Sequence, residues 1–96
     1  MDVEKVLTDR FTRAIRKSFQ PCPLIGPKWF KYNPGGSPAD FQFLGTRKLA
    51  KGTGRKAAQI AGLIVKNLNL HGIGGRTKIT GSFNIHVNLT KDAGGD

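Results

Sequence analysis

Asn84, His86 and Asn88 stand two residues apart in a run whose other positions are Ile85, Val87 and Leu89. This alternation predicts a half-buried β-strand with the three polar side chains on one face. Amide and imidazole groups donate and accept hydrogen bonds, and no carboxylate in the run repels phosphate. Such a row suits the edges of unpaired bases in an RNA loop; it equally suits the ordinary solvent face of a strand. A second constellation, Gly52-Thr53-Gly54-Arg55-Lys56, precedes a helical segment. Free N–H groups at a helix start, with two cations beside them, fit one backbone phosphate. The alternative is an inter-helix turn that requires glycine. The run is not a P-loop, because the glycine spacing is short and no Lys-Ser or Lys-Thr follows. It is similar to a dinucleotide fingerprint, but it joins two helices rather than following a strand, which excludes that use. A third group, Trp29, Phe30 and Tyr32 beside Lys28 and Lys31, reads either as a base-stacking platform or as core.

Catalytic and metal chemistry find little support. Two histidines and one cysteine, far apart in the chain, give no ligand spacing. Asp40 is the only acid between residues 10 and 91, so no carboxylate pair is available for acid–base work. Cys22 lies between two prolines, and its pairing with His71 or His86 as nucleophile and base has nothing to recommend it. The expectation is a protein that is not an enzyme, with no cofactor, no metal and no small-molecule substrate.

Charge points to the partner class. Sixteen Lys and Arg face six Asp and Glu in 96 residues, a formal net charge of +10. From Phe41 to Thr90 there is no carboxylate at all. A solvated surface ordinarily mixes both signs, so this half is expected to form a positive surface for a polyanion. The expected phosphate contacts are Arg47, Lys48, Lys51, Arg55, Lys56, Arg76 and Lys78. A generally basic, soluble surface is the competing explanation. The single cysteine permits no internal disulfide and suits a reducing compartment, so a cytoplasmic location is expected. No run has the length of a membrane span. The start of the chain, with Asp2 and Glu4, does not read as a signal peptide, and the glycosylation match at Asn88-Leu89-Thr90 is void without secretion.

These groups need a scaffold, and the chain is the length of one domain, residues 1–96, with 1–2 and 92–96 frayed. Val3, Val6, Leu7, Phe11, Ala14, Ile15, Ser18 and Phe19 predict an amphipathic first helix. Its basic face, Arg10, Arg13 and Lys17, reads as solvated surface or as phosphate contacts. The prolines at 21, 23 and 27 break helicity, and one or two short strands or an extended stretch follow through Tyr32. Ser37-Pro38-Ala39-Asp40 has the form of a capping box, which predicts a second helix from there to Lys51, stopping at Gly52. Ala57, Ile60, Ala61, Ile64, Val65 and Leu68 define the third helix. Residues 69–75 are a glycine-rich loop, and residues 78–80 and 84–89 are two strands turning at Gly81-Ser82. The expected architecture is α+β: a two-layer sandwich of about three helices on one face of a small antiparallel sheet.

Three stretches resemble the N-terminal additional domain of arginyl-tRNA synthetases. Residues 79–92, from Ile79-Thr80-Gly81-Ser82-Phe83-Asn84 to Lys91-Asp92, are similar without gaps to that family's Gly-Pro-Gly-Phe strand pair. Ala39-Asp40-Phe41-Gln42 is similar to its Gly-Asp-Tyr-Gln. Ala57-Ala58-Gln59-Ile60-Ala61 through Val65-Lys66-Asn67-Leu68 resembles its Ala-x-x-Ile helix, and Phe11-Thr12-Arg13-Ala14-Ile15 also fits. The resemblance implies a two-layer domain that does no chemistry and touches the D-loop of arginine tRNA. It implies base contacts at Asn84 and His86, with Phe83 on the aromatic position if a one-residue gap is allowed; Asn88 shares their face. Ser82, Phe83 and Asn84 depart from the family's proline, second glycine and aromatic. No catalytic signature of a synthetase is present in these residues, so the expectation is a free-standing relative or an excised domain. A general nucleic-acid binder and a protein-interaction module are the rival readings.

Overall fold

The computed structural model describes residues 2–20, 25–36, 39–70, 72–73 and 75–89. The first element is helix α1, Val3–Ser18, and it buries Leu7, Phe11, Ala14 and Ile15, the stripe that three-and-four spacing places on one side. Asp2 caps it, its carboxylate accepting from the Lys5 N–H at 3.2 Å. Glu4 in the first turn and Arg16 and Lys17 in the last complement the helix dipole.

A short 3₁₀ turn, Pro27–Trp29, leads into β1, Phe30–Tyr32. Then come β2, Phe41–Phe43; α2, Thr46–Thr53; α3, Ala57–Asn67; β3, Gly75–Ile79; and β4, Ile85–Leu89. The strands form one antiparallel sheet in the order β1-β2-β4-β3. Phe41 and Phe43 of β2 and Ile85 and Val87 of β4 are fully buried against Leu7, Phe11 and Ile15 of α1, Leu49 of α2, and Ile60 and Ile64 of α3. All three helices therefore cover one face of the sheet, and the fold is an α+β two-layer sandwich. Phe11 stands at its centre, its ring 5.4 Å from Phe41, 5.6 Å from Phe43 and 6.2 Å from Phe30. Thr46 is fully buried, and its hydroxyl has no hydrogen-bond partner among the described residues.

The second helix is shorter than its capping signal predicts. Phe41–Phe43 is a strand, and α2 begins only at Thr46. Two phenylalanines two residues apart reach a common core only with a period of two, and pairing with β4 enforces that period. Asp40 caps no helix. Its carboxylate accepts from the Gly35 N–H at 2.6 Å and from the Leu89 N–H at 2.8 Å, tying the β1–β2 connection to the end of β4. Gly52 lies inside α2; the helix ends at Gly54, whose φ of 72° is the left-handed cap that glycine supplies most readily. Strand β3 starts at Gly75, inside the expected loop. Ser37, Pro38, Cys22, His71 and the tail from Thr90 lie outside the described residues.

Removing the Asp40 carboxylate is expected to lower stability. The Gly35 N–H is exposed and regains water, whereas the Leu89 N–H is partly buried. Asp40→Ala is therefore expected to cost about 1.5–3 kcal/mol, the usual range for a hydrogen bond to a charged group, as read from the urea midpoint.

Candidate nucleic-acid interface

Strand register assembles the site. Because Phe41, Phe43, Ile85 and Val87 face the helices, the residues that alternate with them face the other way. Lys31 pairs with Gln42, Gln42 with His86, and His86 with Lys78. These four side chains form one row across all four strands, roughly 14 Å wide at the usual strand separation of ~4.8 Å. Arg76 pairs with Asn88 and adds a second, shorter row. Lys31, Lys78, Arg76 and Asn88 are exposed, and Gln42 and His86 are half-buried between their neighbours. The row thus offers two cations at its ends with amide and imidazole groups between them. From residue 27 to residue 89 the only acid is Asp40, whose two oxygens both accept from backbone N–H groups.

His86, Asn88, Arg76 and Lys78 therefore come together on the open face, as alternation predicts for the first two. Asn84, expected within the strand, lies just before β4 and is half-buried, with its N–H donating to Thr80 Oγ1 at 3.1 Å. Phe83 sits in the turn with φ of 65° and packs against the core, so its ring is half-buried. Lys31 and Gln42 complete the row: Lys31 was expected only as a neighbour of the aromatic group, and Gln42 was not expected at the site. The signal for Gln42 was the alternation Phe41-Gln42-Phe43, which the capping-box pattern upstream obscured.

The remaining cations go elsewhere, which corrects the expectation of one shared positive surface. Arg47, Lys48 and Lys51 are exposed on α2, and Arg55 and Lys56 on the connection to α3. All five lie on the helix side, because Leu49 points α2's apolar side at the core and sends its charges outward. Arg76 and Lys78 lie across the sheet from them. The start of α3 has no side-chain cap and no acid in its first turn, so it retains the character of an anion site beside Arg55 and Lys56. On α1, Arg13 pairs with Asp9 at 3.1 Å and Arg10 donates to the Asn69 carbonyl at 2.9 Å. Those two contacts draw that basic face toward structural use.

The aromatic platform also divides. Phe30 and Tyr32 turn toward Phe41, at 5.9 and 6.4 Å, on the core side. Trp29 is half-buried like Phe30 and Tyr32, but it faces an open groove lined also by Gly26, Lys28, Leu44 and Lys48. Among the described residues no group of His, Cys, Asp and Glu is placed to hold a metal ion, and no helix is long and apolar enough to cross a membrane. No family model matches the chain, and no curated protein matches it.

Proposed function

We propose that the protein is a non-catalytic RNA-binding domain, with tRNA as its partner, and that the open face of the sheet is where RNA lies. The observation that carries this reading is the row of Lys31, Gln42, His86 and Lys78 with Arg76 and Asn88 beside it. Lys31 at one margin and Arg76 and Lys78 at the other neutralise phosphates and release counterions. Gln42, His86 and Asn88 supply donors and acceptors for the edges of unpaired bases. Arg55 and Lys56 at the start of α3 hold a further phosphate of an RNA large enough to reach round the domain.

The preference for tRNA rests on the resemblance to the arginyl-tRNA synthetase N-terminal domain. The ungapped pairing sets a family glycine at the position of Phe83, and Phe83 has the left-handed backbone that favours glycine. That agreement supports the pairing in which Asn84 and His86 stand at the D-loop-contacting positions.

A salt titration of tRNA binding tests the reading. With about five phosphates engaged, log Kd against log salt is expected to have a slope of magnitude roughly 3.5–4.5. A slope near zero rejects the electrostatic mechanism. Competition by duplex DNA on equal terms with tRNA would leave a general nucleic-acid binder, and binding that persists in high salt to a protein partner would favour an interaction module.

A further inference from the structure

The groove beside Trp29 has a different chemistry from the sheet face. It is about 470 Å³ in volume, within the ~300–1,000 Å³ of small-ligand clefts. Its wall is apolar, formed by the Trp29 indole and by Leu44, which is 37% exposed. Lys28 and Lys48 stand at its rim, and among the described residues that line it there is no acid.

The indole is held firmly. A Cβ on Gly26 would come within 2.7 Å of Nε1, and one on Gly45 would overlap the ring. The ring edge packs against Phe43 at 6.2 Å. Two glycine backbones and a core phenylalanine thus fix an aromatic wall in advance of any ligand, which removes part of the ordering cost of binding. The Lys48 ammonium lies 6.0 Å from the ring centroid, the outer limit of a cation–π contact. Little is lost when that lysine turns to a phosphate.

Position links the groove to the sheet. The Leu44 N–H donates to the Trp29 carbonyl at 2.6 Å, continuing the β1–β2 ladder one step past Phe30 and Phe43. Phe43 pairs with Ile85, so this end of the hairpin is level with Asn84 and the turn at residues 80–84. Along the hairpin the groove lies two residue steps from the row of Lys31, Gln42, His86 and Lys78, with Lys48 entering it from the helix side, so an RNA on the row reaches the groove by passing round this edge of the sheet.

We propose that this groove is a second contact site, taking one unstacked nucleotide of the bound RNA. The base lies on Trp29 and Leu44, and its phosphate lies between Lys28 and Lys48. The paired rows of the sheet face carry no Phe, Tyr or Trp, and their one ring is the half-buried His86 imidazole, so the groove adds the larger stacking surface. This proposal rests on the RNA-binding reading.

Trp29 is the only tryptophan, so its fluorescence reports on this groove alone. The probes are a six-nucleotide oligoadenylate and an abasic chain of equal length. Oligoadenylate is expected to quench the emission saturably, whereas the abasic chain leaves it unchanged. Lys28→Glu with Lys48→Glu is expected to weaken the quenching titration at least tenfold while circular dichroism stays as in the parent. Labelled oligoadenylate should bind a Trp29→Phe variant several-fold more weakly by anisotropy. Equal quenching by the abasic chain, or an unchanged titration in the double variant, would overturn the groove. If tRNA binds with a steep salt slope but Trp29 emission and the groove variants are indifferent, the groove fails and the RNA-binding reading stands. If tRNA does not bind while oligoadenylate quenches as described, the groove stands and the tRNA preference fails.

Discussion

Arg76→Glu combined with Lys78→Glu is expected to weaken tRNA binding about a hundredfold at moderate salt. Both side chains are exposed on an edge strand, on the face away from the helices. Their reversal leaves the apolar layer untouched, so the fold is retained. Each loses its attraction for a phosphate and replaces it with repulsion. A hundredfold loss corresponds to ~2.7 kcal/mol, a modest sum for two reversed charges at a polyanion. Removing two phosphate contacts should also lower the salt slope by about 1.4–1.8, and that second readout separates lost contacts from a damaged fold. The same reversal at Arg55 and Lys56 is expected to have a smaller effect, since it touches one helix-start phosphate on the other side of the sheet. Unchanged affinity in the first variant would remove the open face from the interface, and a greater loss in the second would move the interface to the helix layer.

Phe11→Ala is expected to cost about 3–5 kcal/mol of folding stability. Phe11 is fully buried, and its ring packs with Phe30, Phe41 and Phe43 from two neighbouring strands. It is the contact through which α1 grips β1 and β2 together. Alanine leaves a cavity ringed by large aromatic groups that relax only partly. A chain of this size is expected to have a total stability of ~5–14 kcal/mol, so the loss runs from about a fifth of it to all of it. Urea unfolding followed by circular dichroism measures it. A cost below about 1 kcal/mol would mean that α1 does not pack on the sheet as described.

The loss at Phe11 was foreseeable from the chain, whereas the row at Arg76 and Lys78 was not fully so. Amphipathic helices α1 and α3 and the alternation in β4 are written in spacings of two to four residues. Such patterns survive inspection without any knowledge of neighbours. The polar set Asn84, His86 and Asn88 was legible for the same reason. The start of the second helix was misplaced because two local signals disagreed. Ser37-Pro38-Ala39-Asp40 has the composition of a helix start, and Phe41-Gln42-Phe43 has the period of a strand. Pairing with β4 on one side and β1 on the other decided in favour of the strand.

What the amino-acid order determined alone is the charge excess, the absence of acids from residue 41 to residue 90, and the helix and strand periods that fix which side chains are apolar-facing. What only the tertiary structure decided is which of those charges share a face. Lys31, Gln42, His86 and Lys78 become neighbours through three strand registers, while α2 carries the other cations to the opposite side. Register and layer order depend on contacts between residues distant in the chain, and no local pattern encodes them, because each strand's period is satisfied by more than one set of partners.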